Sequence, residues 1–138
     1  MSETPDAVRV RTDPDPYEQY LISQAIRVGD LVYLSGQAAV DRHGNIVGAG
    51  DFDAQAAQVF ANLKAVLEAA GSSMDRIVKV TIYLTDMAQF GRIMELRAQH
   101  FSKPYPADTI VEVKGLALPE FEIEIEAIGL VGGTIRDA

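Results

Sequence analysis

The chain has 138 residues, the length of one compact domain, and its 48% hydrophobic and 23% charged residues are a globular rather than a disordered composition. Its 20 acids against 12 bases leave a net charge of −8, a field that repels phosphate backbones and argues against nucleic-acid binding. There is no Cys, which excludes disulfides, thiolate nucleophiles and Cys-ligated metals.

The polar start MSETPDAVRVRTD has no apolar signal region, and no apolar run approaches the ~20 residues that span a bilayer. A soluble cytoplasmic protein with no membrane contact is the expectation. One domain is expected over residues 1–138, fraying at residues 1–7 and 132–138. Val8, Val10 and Thr12 alternate with Arg9 and Arg11, as in a short edge strand. DPDPYEQY, with two prolines, reads as loop. Gln24 to Val28, a Gly29-Asp30 turn, and Leu31 to Ser35 make a hairpin. A second turn falls at His43-Gly44-Asn45.

Asp51 or Asp53 can cap a helix that runs to Ala70, with the stripe Val59, Phe60, Leu63, Val66, Leu67, Ala70 and with Gly71 just past its end. Ile77 to Leu84 reads as a strand burying Val78, Val80, Ile82 and Leu84. Asp86 can cap a second helix over 87–101, with the stripe Phe90, Ile93, Met94, Arg97 and Phe101. An Arg on such a stripe either snorkels to water or reaches into a site. Thr109 to Val113 and Phe121 to Ile128 are the last strands.

This order predicts an α+β layer, one sheet with both helices on one face. The other face is expected to carry Lys79, Thr81, Asp108, Ile110, Glu112, Glu122, Glu124 and Glu126 if the strand parities align. Glutamates on a strand usually mark a solvated face, but Ile110 does not suit open water. A mixed face of this kind suits a subunit interface, with a site in the seam.

His43 and His100 have no second histidine at a ligand spacing and are expected at the surface, so zinc and Ser-His-Asp chemistry are not indicated. No Gly-rich loop fits a phosphate cradle, and no cofactor is implied. The remaining chemistry is carboxylates and small polar groups: Asp108, Glu112, Glu122, Glu124, Glu126, Ser35 and Gln24. A carboxylate in a dry seam can move a water's proton. Asp108, at the head of a strand in YPADTIVEV, either belongs to such a site or is paired with Arg97 or Arg92.

The segments SQAIRVGDLVYLSGQ, DFDAQAAQVFANLKAVLEAAG, IVKVTIYLTDMAQF, PADTIVEV and EIEIEAIGLV, in that order over residues 17–131, resemble the RidA/YjgF family of imine and enamine deaminases. The resemblance implies a chorismate-mutase-like fold in a homotrimer, with small-molecule ligands held in the clefts between subunits. It also implies hydrolysis of an imine, with an Arg gripping a substrate carboxylate and a Glu and a backbone carbonyl positioning water. On this alignment Glu124 is the water-handling Glu, and Ser35 and Gly36 belong to the retained LSGQ turn. Gln24 survives beside Ser23, whereas Ile22 and Met94 stand where a Tyr and an Asn are usual, and Ile110 lies two residues after the Arg position. That position itself is Asp108, an anion in place of the anion clamp.

The candidate set is therefore Glu124 and Asp108 for catalysis, with Ser35, Gly36, Ile22, Gln24, Met94, Arg97 and Ile110 for binding. Three functions follow from it. The first is a deaminase or hydrolase of non-peptide C–N bonds with an altered substrate. The second is a non-catalytic trimeric ligand binder. The third, which the charge disfavours, is the ribonuclease or translation-inhibitor activity attributed to the family.

Overall fold

The structure, a computed structural model, describes residues 6–138. Of the ends expected to fray, residues 1–5 lie outside the described residues, and Ala7 instead opens the first strand. Six strands form one sheet: β1 (Ala7–Val10), β2 (Ala25–Val28), β3 (Leu31–Gln37), β4 (Ile77–Leu84), β5 (Ala107–Glu112) and β6 (Ile123–Leu130). Their spatial order is β1-β2-β3-β6-β4-β5. Only β4 and β5 run parallel, and the chain between them supplies the crossover that a parallel pair requires.

That crossover carries α2 (Phe90–His100); the longer α1 (Phe52–Ala69) joins β3 to β4. Asp51 caps α1 by accepting the Ala54 N–H at 3.1 Å, and Gly71 follows it at a φ of +84°, a conformation with no Cβ penalty for glycine. The predicted stripe of α1, from Val59 to Ala70, is buried throughout. Phe60 stacks on His100 of α2 with ring centroids 4.1 Å apart and meets Phe101 edge-on at 5.7 Å. The two helices thus lie side by side on one face. Beneath them are the fully buried Val32, Val80, Ile82, Leu84, Ile123 and Ile125, each contributing ~1.5–3 kcal/mol by leaving water.

Several expectations are corrected. His100 is not a surface residue: its stacking half-buries it, and burial pushes its pKa down. A register shift between Ile77 and Lys79 puts Ile77, not Val78, into the core. Along α2 the buried side chains are Ile93 and Leu96, while Phe90 and Met94 are 43% and 52% exposed. The helix is preceded by a 3-10 turn at Met87–Gln89, so the α-helix itself begins only at Phe90.

The parity of β5 is also reversed. Residues paired in a parallel ladder share a face, and Asp108, Ile110 and Glu112 pair with Val80, Ile82 and Leu84. These three therefore stand on the helix side, not among the glutamates. Ile110 packs partly buried against the core, and Glu112 accepts the Met87 N–H at 2.8 Å where α2 begins. Glu122 precedes β6 and accepts a hydrogen bond from Gln55 of α1, so it also leaves the expected row.

On the uncovered face the register aligns Ile26, Tyr33, Ile128 and Lys79 in one row, Glu126 with Thr81 and Thr109 in the next, and Glu124 with Tyr83 and Val111 in a third. No helix among the described residues is long and apolar enough to cross a membrane.

Candidate functional site

The centre of the site is made by an irregularity in β3. Leu34 pairs with Ala127 and Gln37 with Ile125, so Ser35 and Gly36 together oppose the single residue Glu126. Such a bulge bends the strand and re-aims its side chains. Ser35 is fixed by its hydroxyl donating to Ser23 O at 2.6 Å and its N–H donating to Gln24 O at 2.9 Å. A Cβ on Gly36 would overlap the Glu124 carboxylate, which lies directly over the bulge, so a side chain there would push the carboxylate aside.

Glu124 and this bulge form part of a cavity of about 570 Å³, walled by Tyr17, Tyr20, Ile22, Ala38, Val40, Leu118 and Phe121. The wall is mostly apolar, and among the described residues Glu124 is the only formally charged side chain in it. Burial, and secondarily the charge of Glu126, push the Glu124 pKa up. A carboxyl raised in this way takes and returns a proton nearer neutrality than a solvated one.

Tyr17 was hidden by its Pro-rich loop, yet it is buried and central. Its hydroxyl donates to Gly36 O at 2.7 Å and accepts the Ala38 N–H at 3.1 Å. Burial pushes its pKa up to about 12, so the phenol stays neutral and ties the bulge residue Gly36 to Ala38 just past the end of β3. Asn62 of α1 secures the following loop by donating to Ala38 O and Val40 O at 3.0 and 2.8 Å. An aromatic residue directly after two prolines, followed by a second Tyr, is the signal for this wall.

The proposed binding set divides. Ile22, Ser35, Gly36 and Glu124 are brought together in this cavity. Gln24 is not: its buried amide is bonded to Thr12, 3.1 Å from Nε2 to Oγ1 and 2.6 Å from the Thr12 N–H to Oε1. Ile110 lines neither this cavity nor the next. Met94, Arg97 and Asp108 line a separate cavity of about 430 Å³ with Phe101, Tyr105 and Pro106.

Within this chain Asp108 and Glu124 therefore line different cavities and do not form a pair. Asp108 instead receives the side of the Arg97 guanidinium bidentately, Nε–Oδ2 3.0 Å and Nη2–Oδ1 2.9 Å. The two side chains are only 23% and 18% exposed, and the guanidinium lies 5.7 Å from the Phe90 ring centroid. Arg92 is not the partner; it pairs with Asp53 and Glu95. Among the described residues no group of three or more His, Cys, Asp or Glu is placed to hold a metal ion.

A family model described as Endoribonuclease L-PSP matches residues 10–131. A RutC family protein of Pyrococcus horikoshii is 42% identical over 115 residues, 83% of this chain and 89% of that protein. A 2-iminobutanoate/2-iminopropanoate deaminase of Dermatophagoides farinae is 37% identical over 118 residues, 86% of this chain and 90% of its own. The crystal structure of RidA from an Antarctic Psychrobacter superposes with a TM-score of 0.81 at 39% identity, covering 89% of this chain and 98% of that one.

Proposed function

The chain belongs to the Endoribonuclease L-PSP family, which includes RidA and RutC proteins, and on that premise we propose that it hydrolyses a small imine or enamine, with Glu124 moving the protons. The observation that carries this is the half-buried Glu124 carboxyl, raised in pKa and set over Gly36 in a mostly apolar cavity. Glu124 takes a proton from water as the oxygen adds to the C=N carbon. It returns that proton to nitrogen to give a carbinolamine, then takes the hydroxyl proton and passes it to the amine as the C–N bond breaks, leaving a carbonyl compound and ammonia. The substrate is a neutral or cationic imine rather than a carboxylate-bearing one. Among the described residues no cation lines the Glu124 cavity, and the Arg97 fork is occupied by Asp108.

The separation of the two cavities supports a homotrimer in which the Arg97–Asp108 cavity of one protomer abuts the Glu124 cavity of the next. The uncovered sheet face, with Ile26, Tyr33 and Ile128 beside its polar rows, is suited to such a seam. The occupied Arg97 fork also favours a second function, ligand binding without turnover. The ribonuclease activity in the family description is disfavoured by the net charge of −8.

A crystal of the assembled protein soaked with a small amine and a keto acid in competition tests this. The expected result is the amine beside Glu124 at a subunit seam. A keto acid held by Arg97, or an empty Glu124 cavity in a monomer, would overturn it.

A further inference from the structure

Tyr83 stands directly opposite Glu124 across the β4–β6 ladder, yet its hydroxyl donates to Glu126, the next carboxylate along the same face. A long aromatic side chain reaches such a diagonal neighbour. Two residues along a strand span about 7 Å, and an unrestrained glutamate at that range would swing its charge into water, where screening weakens it. The bond to Tyr83 removes this freedom. We propose that Tyr83 and Glu126 are a positioning pair for Glu124, holding a second negative charge at fixed range so that proton transfer at Glu124 is set by its neighbour as well as by burial.

The inference rests on Glu124 being the proton-moving residue. It goes further in assigning work to two side chains that touch no substrate. The surroundings leave Glu126 as the effective charge. From the loop before β2 come Tyr17, whose hydroxyl is committed to Gly36 O and Ala38 N–H, and Tyr20. From β3 come only Ser35 and Gly36, and from the loop before β6 come Ala117, Leu118 and Phe121, none of them titratable. Lys79, further along β4, gives its ammonium to Thr109 Oγ1 at 2.7 Å. The field of Glu126 acts on Tyr83 too, whose pKa is raised chiefly by its bond to Glu126, so the phenol remains a donor.

The test is a pH titration of the full-length protein labelled at the glutamate side-chain carboxyl carbon. It is read by NMR in wild type, Glu126→Gln and Tyr83→Phe, with Glu124→Gln assigning the resonance. Glu126→Gln is expected to move the Glu124 midpoint to lower pH by removing the like charge. Tyr83→Phe is expected to move it the same way by less, because Glu126 stays charged but turns outward. If Tyr83→Phe fails to fold, Glu126→Gln alone decides. A midpoint unmoved in Glu126→Gln would overturn the proposal. A midpoint moved in Glu126→Gln but not in Tyr83→Phe would remove Tyr83 from it. The titration needs no substrate, so shifts as expected in a protein that turns over no imine would uphold the pair and sink the deaminase function.

Discussion

Asp108→Asn probes why carboxylate-bearing imines are expected to be poor substrates. In the wild type, Arg97 spends Nε and Nη2 on Asp108 at 3.0 and 2.9 Å. Hydrogen bonds to charged groups contribute ~1.5–3 kcal/mol each, so a substrate carboxylate denied that fork forgoes about 3–6 kcal/mol. At ~1.4 kcal/mol per decade this is roughly two to four decades in kcat/KM. Direct repulsion by Asp108, of order 4 kcal/mol at ~4 Å and an effective dielectric of ~20, is largely offset by Arg97 in the same pair. Lost attraction therefore decides the outcome. The assay is coupled hydrolysis of 2-iminopropanoate beside an imine lacking a carboxylate, with wild type, Asp108→Asn and Asp108→Arg. Wild type should stay near the uncatalysed rate on 2-iminopropanoate. Asp108→Asn should gain about tenfold by weakening one of the two bonds, and Asp108→Arg should gain more. Neither variant should improve on the carboxylate-free imine. Wild-type turnover of 2-iminopropanoate matching that of the carboxylate-free imine would refute the reasoning.

Other outcomes follow from the same geometry. Gly36→Ala should cost ~1 kcal/mol or less, because the group in its way is the flexible end of Glu124, yet it should reduce activity as far as Glu124→Gln does. Melting curves and turnover on one preparation separate the two effects. Because the folded state raises the Glu124 pKa, the protonated form favours folding; that contribution is full below the ordinary glutamate range and is lost as pH rises through the folded value. Glu124→Gln should accordingly melt higher than wild type at neutral pH, and the difference should vanish in acid. Light scattering should give three times the 15.0 kDa chain mass; a concentration-independent monomer would remove the seam.

Much of this fold is legible in local pattern. The α1 stripe, its Asp51 cap and Gly71 stop, the β2–β3 hairpin and the buried Ile123 and Ile125 all follow from periodicity and capping chemistry. What fails is what local pattern does not encode. The parity of β5 depends on its register with β4, in which Asp108, Ile110 and Glu112 pair with Val80, Ile82 and Leu84. Asp108 and Glu112 both look like open-face acids, yet each fastens α2 from the helix side. In the site, Ser35, Gly36 and Glu124 were found through motif resemblance. Tyr17 was missed because only tertiary burial turns a loop tyrosine into the strut of the bulge. Tyr83 was missed because its partner lies across the ladder.

The central claim is that Glu124 carries the protons of C=N hydrolysis. The most direct measurement is the rate of ammonia release from a carboxylate-free imine generated in place by an amine oxidase, comparing wild type with Glu124→Gln at equal concentration and in the same oligomeric state. The account predicts clear acceleration by wild type and a loss of about 10²–10⁴-fold in the variant, the range general acid–base catalysis supplies. Equal acceleration by both would contradict it.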